Sequence, residues 1–282
     1  MELIFAAAIC SVAVSILLKV CKNRGFDSLQ MIVWNYAMAS ILCFFWFKPD
    51  LKHVSLIHTP WLLIIGLGIL LPSVFILLSK SLQTAGILKT EIAQRLSVIL
   101  SITAAYFIFQ EHFNQLKILG VVLGVLAVLS ILFSNQSSGA LSAKSSLYLA
   151  SVWIGYALID ILLKYTTGLG LQFTVALNLM FICSFILSIF YLFIKSNSVG
   201  QIKNITAGAF LGAINFANIA LYVKAHMLLK DSPAIVFAGM NILVVVFGIL
   251  SGLIFFKEKL KMTSMLGILL GLASIICLAL SF

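Results

Sequence analysis

The strongest constraint on the fold is a succession of ten apolar segments, each about 20 residues long, which is the length of a helix that crosses a bilayer. The chain has 282 residues, of which 62% are hydrophobic and only 9% are charged. Soluble domains carry far more charge than this. The sequence therefore predicts an all-α integral membrane protein with ten transmembrane helices, at residues 2–20, 29–47, 60–80, 85–111, 116–134, 147–167, 172–194, 205–229, 233–256 and 262–282.

The ten spans form two copies of a five-helix unit. Residues 232–258 align with residues 85–111 without a gap, and the motif Gly267-x-x-x-Gly271 follows Glu258 at the same distance as Gly120-x-x-x-Gly124 follows Glu111. The first repeat covers residues 1–134, a polar linker covers 135–146, and the second repeat covers 147–282. An odd number of spans forces the second copy to insert upside down, which predicts inverted-topology repeats that open a central cavity to each side in turn.

The fourth span is unusual because its first third carries Lys89, Glu91, Gln94 and Arg95. A charge at mid-membrane costs about 3 kcal/mol on insertion scales, so these side chains need partners or a wet cavity. The alignment with the ninth span places Glu91 about a turn and a half inside the helix and Gln94 opposite Asn241. Two amides at matched depth in paired helices are the best indication of a binding site in this sequence.

Two interpretations of Glu91 and Arg95 stay open at this stage. Their i, i+4 spacing is that of an ion pair on one helix face, which would neutralise both charges. Alternatively, both line a cavity, where Arg95 attracts a carboxylate and Glu91 attracts an ammonium group, as a zwitterionic substrate requires. Glu91 is also the candidate for proton coupling. Further candidate substrate-binding residues are the amides and one tyrosine of other spans, namely Asn35, Asn178, Asn215, Asn218 and Tyr222.

Other polar and small residues have structural interpretations. Lys19 and Lys164 end their spans in the same ILLK motif and are expected to extend to the membrane surface, with Asp160 positioned to neutralise Lys164. The four motif glycines are expected to pack helices closely, within the fold or in a weak homodimer: Gly120, Gly124, Gly267 and Gly271.

The sequence gives no indication of catalysis, a metal site or a cofactor. The four histidines lie near span ends and lack metal-ligand spacing, and no GxxxxGK[ST] motif is present. The formal charge of +10 is concentrated at helix ends, which predicts contact with lipid headgroups and not with nucleic acid. Any transport would therefore draw on a proton gradient, another ion gradient or the solute gradient itself.

The repeat architecture, with Glu111 and Glu258 after the fourth span of each copy and a glycine-rich fifth span, resembles the drug/metabolite transporter superfamily in its EamA-type ten-helix branch. This resemblance implies a secondary transporter, because members export amino acids, other metabolites or drugs, or take up solutes. We expect export of an amino acid, a similar polar or zwitterionic solute, or a drug-like amine. It also implies a cavity lined by spans one, three, four, six, eight and nine, with spans five and ten peripheral. An uncoupled facilitator and a membrane receptor or scaffold without transport are the alternatives.

The resemblance further implies a bacterial inner-membrane protein with both termini in the cytoplasm, working as a monomer or a weak homodimer. The charge rule favours the opposite orientation. Ten lysines and arginines adjoin odd-numbered connections and six adjoin even-numbered ones, and such residues are enriched on the cytoplasmic side.

Overall fold

The computed structural model describes residues 2–56, 59–109, 113–133, 143–195, 200–229, 233–258 and 262–281. Glu111 and residues 135–142 of the linker lie outside this set. The described part is built from helices and contains no strand. Its elements are α1 (Glu2–Asn23), α2 (Ser28–Phe47), a short 3₁₀ turn (Leu51–His53), α3 (Trp61–Thr84), α4 (Ile87–Arg95), α5 (Ser97–Phe109), α6 (Gln115–Phe133), α7 (Ala143–Gly168), α8 (Phe173–Lys195), α9 (Ile202–Leu228), α10 (Pro233–Ile254) and α11 (Met262–Leu280).

Ten helical spans in this set are long and apolar enough to cross a membrane, which confirms the predicted fold class. Helices α1 to α3 correspond to spans one to three, α4 and α5 together form span four, and α6 to α11 form spans five to ten. Span four differs from the continuous helix that the sequence predicted, because the helix is interrupted at Leu96.

The interruption at Leu96 is stabilised by side chains from within and outside the span. The Ser97 hydroxyl donates to the Gln94 carbonyl at 2.7 Å, and the Trp153 indole of α7 donates to the Leu96 carbonyl at 2.9 Å. A break in a transmembrane helix is tolerated when protein groups satisfy the carbonyls that it releases. The Gln94 and Leu96 carbonyls therefore keep hydrogen-bond partners at the interruption.

The helices of the two halves pack reciprocally. Helix α1 of the first half contacts α9 and α10 of the second, and α7 of the second half contacts α3, α4 and α5 of the first. Helix α4 also contacts α10, α2 contacts α8, and the last spans of each half, α6 and α11, contact one another. This exchange of partners is the pattern expected of two repeats related by a two-fold axis.

The motif glycines lie between α6 and α11 or against span four. A Cβ added at Gly120 would lie 2.8 Å from Leu278 Cγ, and one added at Gly267 would lie 2.7 Å from Ile131 Cγ1. A Cβ at Gly124 would meet Ile99, and one at Gly271 would lie 3.4 Å from Leu96. Gly120, Gly124 and Gly267 thus allow close packing inside the fold, whereas a side chain at Gly271 would meet its neighbours at ordinary contact distance.

A second pair of glycines, Gly208 and Gly212 on α9, was not singled out from the sequence, although its spacing is the same. A Cβ added at Gly208 would lie 2.5 Å from the Met31 carbonyl oxygen, and one at Gly212 would lie 2.4 Å from the Asn35 carbonyl oxygen. Both obstructing atoms belong to the backbone of α2, which cannot move aside alone. The absence of a side chain at these two positions allows α2 and α9 to approach each other closely.

We expect Gly212→Ala to destabilise the protein by about 1 to 3 kcal/mol, because the added methyl group forces α9 away from α2. Gly66→Ala is the matched control, since an added Cβ at Gly66 has no atom within 4 Å. The midpoint of thermal aggregation in detergent micelles should fall by several degrees for the first variant and not for the second. Equal midpoints for the two variants would contradict this interpretation of the α2–α9 contact.

Candidate functional site

A cavity of about 530 Å³ lies between the two halves, within the size range of small-molecule sites. Residues from both halves line it. The apolar part of the wall includes Leu71, Val74, Phe75, Phe181 and Met240. The polar part consists of Tyr36, Gln94, Arg95, Ser97, Ser101, Tyr156, Asp160, Asn215, Asn218, Tyr222 and Asn241.

The cavity is displaced toward one end of the bundle. Lining residues of α8 and α10 come from the first halves of those helices, and those of α7 and α9 come from the middle and second halves. Because successive spans run in opposite directions, these positions share the end at which α1 begins. We call this the N-terminal end, and the end near Lys19 the opposite end.

Among the described residues that line the cavity, two are charged, and their signs are opposite. Arg95 ends α4 at the helix interruption, and Asp160 lies in the second half of α7. Asp160 is exposed to the cavity and accepts a hydrogen bond from Ser101 at 3.3 Å. The site can therefore offer a cationic and an anionic group, from different halves of the protein, to one small ligand.

Glu91 does not lie on the cavity wall, in contrast to its predicted place in the substrate site. It is 1% exposed, and one of its carboxylate oxygens accepts a hydrogen bond from the Ser15 hydroxyl of α1. Arg95 instead donates to the Ser11 hydroxyl, one turn earlier on α1. Within the described residues, Glu91 and Arg95 form no direct ion pair, because each turns toward a different serine.

The predicted amides divide into two groups. Gln94 and Asn241 both line the cavity, as do Asn215 and Asn218. Asn218 Oδ1 is buried without a hydrogen-bond partner in the described protein, so it can accept a bond from a ligand. Tyr222 also lines the cavity and packs edge-on against His226 at 4.6 Å between ring centroids.

Asn35 and Asn178 are fully buried and do not line the cavity, which differs from their predicted place around the substrate. Asn35 Oδ1 accepts a bond from Asn215 at 3.3 Å, and Asn178 donates to the Ser40 carbonyl of α2 at 3.1 Å. Their amides are used for contacts between helices. Asn35 still affects the site indirectly, because it orients Asn215.

An aromatic group that the sequence did not indicate forms one side of the cavity. The Tyr36 ring lies 6.1 Å from the rings of both Phe75 and Phe181, with tilted or edge-on geometry. Tyr36 is 1% exposed, and its hydroxyl has no hydrogen-bond partner in the described protein. Aromatic residues are so frequent in this chain that the sequence alone did not single out these three.

Three further expectations about charged residues and lining helices need correction. Asp160, expected to neutralise Lys164, bonds to Ser101 and faces the cavity. Lys19, expected to extend to the membrane surface, pairs with Glu258 at 2.6 Å. Helix α1 supplies Ser11 and Ser15 behind span four, while α2 and α8 line the cavity in its place.

The ten membrane-spanning helices and the polar cavity between the two halves define a polytopic membrane protein with an internal binding cavity. The chain belongs to the EamA-like transporter family, whose sequence model matches residues 2–133. It is also 40% identical over 285 aligned positions to an uncharacterized protein of Haemophilus influenzae, and the alignment covers 98% of this chain and 97% of that relative. The chain is therefore a multi-pass membrane protein with a small-molecule substrate, as the sequence resemblance implied.

Proposed function

We propose that this protein is a secondary transporter that moves a small zwitterionic metabolite, such as an amino acid, across the membrane by alternating access. The observation that carries the proposal is the presence of Arg95 and Asp160 on the wall of one cavity of about 530 Å³. Charged residues that face a cavity inside a membrane protein mark substrate or ion pathways. The halves act as two inverted repeats, residues 1–134 and 147–282, joined by the linker 135–146.

The substrate is bound through its two charged groups and its apolar side chain. Arg95 receives the carboxylate, for which its guanidinium can donate two parallel hydrogen bonds. Asp160 receives the ammonium group, a function that the sequence had suggested for Glu91. Gln94, Asn241 and Asn218 complete the polar contacts, and the Tyr36–Phe75–Phe181 surface accommodates the side chain.

The direction proposed is export from the cytoplasm through a bacterial inner membrane, with both termini in the cytoplasm and the protein acting as a monomer. In this orientation the cavity is displaced toward the cytoplasmic side, where an exporter takes up its substrate. The placement of all four motif glycines inside the fold supports a monomer, because it leaves them unavailable for a dimer interface.

Proton coupling through Glu91 is the mechanism proposed for energising transport. Glu91 is buried, and its second carboxylate oxygen has no hydrogen-bond partner in the described protein, so it has an atom that can carry a proton. An uncoupled facilitator is the second candidate. It is favoured by the hydrogen bond from Ser15, which holds Glu91 away from the cavity wall.

Flux measurements in proteoliposomes test both candidates. Purified protein is reconstituted and screened with pooled amino acids and small amines, with and without an imposed pH gradient. We expect saturable flux that follows the gradient in the wild-type protein, and loss of that flux in Glu91→Gln. Glu2→Gln, at the exposed start of α1, is the matched control and should keep wild-type flux.

Each outcome selects between the candidates. Flux that ignores the gradient and persists in Glu91→Gln identifies a facilitator and makes Glu91 a packing residue. Absence of flux for every amino acid and amine, from protein that is monodisperse and correctly inserted, refutes the proposed substrate class.

A further inference from the structure

We propose that Lys19, Glu258 and the N-terminus of α4 form a gate, which closes the cavity at the opposite end and must separate once in each transport cycle. This inference rests on the proposed function, since a gate has meaning only for a protein that moves a solute. Lys19 and Glu258 lie outside the cavity that the proposed function assigns to the substrate.

One carboxylate joins three segments of the chain. Glu258, which follows α10, lies 2.6 Å from the Lys19 ammonium of α1. The same carboxylate accepts hydrogen bonds from the backbone N–H groups of Ile87 at 2.8 Å and Leu88 at 3.2 Å. Lys19 and Glu258 side chains are 11% and 17% exposed, so water screens the contact only in part.

The start of α4 is built to receive this carboxylate. The first N–H groups of a helix have no partner within it, and the helix dipole favours a negative charge there. Gly86 provides no side-chain cap and has a φ of +91°, a conformation that other residues rarely adopt. A Cβ at this position would lie 2.6 Å from Glu258 Oε2, so glycine is required for the approach.

The contact lies beside tightly packed apolar side chains at the opposite end. Leu18, Leu82 and Ile87, from α1, α3 and α4, pack there in one cluster and are at most 1% exposed. Phe256 covers the Lys19 ammonium at 4.4 Å from its ring centroid. In the proposed gate, a solute that leaves the cavity toward this end passes between these segments.

The contact also links the two halves of the protein. Lys19 and α4 belong to the first repeat, whereas Glu258 belongs to the second. Alternating access moves one repeat relative to the other, and ion pairs between moving parts are exchanged in such transitions. Lys164 and Glu111 hold the equivalent sequence positions, and Glu111 lies outside the described residues.

Accessibility of a cavity cysteine tests the gate independently of flux. In a variant whose five native cysteines are replaced, Val98→Cys on the cavity wall is labelled with a membrane-impermeant thiol reagent from either side of the membrane. A separate Lys22→Cys variant, labelled in the same way, shows from which side of the membrane the opposite end is reached. We expect labelling from that end to rise about tenfold or more in Lys19→Met/Glu258→Gln, because the closed state loses its main contact.

The matched control removes one charge of each sign at the same end without touching the gate. Arg24→Met/Asp27→Asn does this, because Arg24 is exposed and asparagine caps α2 as well as aspartate does. Labelling in this control should stay at the parental rate. An unchanged rate in Lys19→Met/Glu258→Gln overturns the gate, provided labelling from the N-terminal end shows the cavity intact.

If the double variant fails to fold, Lys19→Met alone, which leaves the Glu258 carboxylate bonded to the Ile87 and Leu88 N–H groups, replaces it in the labelling assay. A cross-link adds a test of the gate through flux. Bridging Lys19→Cys and Glu258→Cys with a short, reducible bifunctional thiol reagent should stop flux, and reduction should restore it. The control is a disulfide between Ala127→Cys and Gly271→Cys on the peripheral helices, where the Cβ atoms would lie 3.8 Å apart. Full flux in the bridged protein refutes the gate, whereas absence of flux in the wild-type protein refutes the proposed function.

Discussion

Replacing Arg95 by alanine is expected to reduce transport by at least about 30-fold, which corresponds to about 2 kcal/mol of lost substrate binding. Arg95 is the positive group among the described residues of the cavity wall, so a substrate carboxylate loses its counter-charge in a poorly solvated site. The measurement is initial flux of the best amino acid substrate in proteoliposomes, normalised to reconstituted protein.

Two further variants define how Arg95 acts. Arg95→Lys keeps the charge but not the planar pair of donors, so it should recover part of the flux and show a higher KM. Arg24→Ala removes the other arginine of the sequence, which is exposed in the connection after α1, and should leave flux unchanged. Flux near the wild-type level in Arg95→Ala would show that the carboxylate binds elsewhere.

Replacing Asp160 by asparagine is expected to lower the flux of zwitterionic substrates by about 10-fold to 100-fold, the range for losing a charge-assisted hydrogen bond. The loss should be specific to the amino group. A carboxylic acid that lacks the amine should inhibit the variant as well as it inhibits the wild-type protein, because Arg95 is unaltered. Competition assays with a matched pair of amino acid and deaminated analogue measure this difference.

Asp27→Asn is the control for Asp160→Asn, because it makes the same chemical change outside the cavity. Asp27 caps α2 through a 2.8 Å bond to the Leu29 amide, and asparagine can replace it in that position. Equal losses in the two variants would point to a general effect on folding. Unchanged flux in Asp160→Asn would remove Asp160 from the substrate site.

The number and type of the helices were predictable from sequence because the bilayer imposes both. A span must hold about 20 apolar residues and must satisfy its own backbone hydrogen bonds, so the apolar segments identify the helices directly. The interruption at Leu96 was not predictable, since no proline or glycine marks it. It depends on Trp153, a residue 57 positions away whose indole donates to the Leu96 carbonyl.

The candidate site was predicted in part. The cavity residues Gln94, Arg95 and Asn241 could be selected from sequence, because polar side chains inside a span are costly. The repeat alignment also placed Gln94 and Asn241 at the same depth. Asp160 was assigned to Lys164 because the i, i+4 spacing on one helix suggested a local partner. Sequence spacing cannot show that Ser101 of another helix contacts Asp160 instead.

What the sequence determined by itself is the set of helices, the two-repeat organisation and the presence of charged groups that need a polar environment. Only the tertiary structure decided where each polar group is used. Arg95 and Asp160 reach one cavity, Glu91 is held behind it by Ser15, and Lys19 joins Glu258 across the two halves. The physical reason is that insertion energy acts on each span separately, whereas the partner of a buried charge is set by contacts between helices distant in the chain.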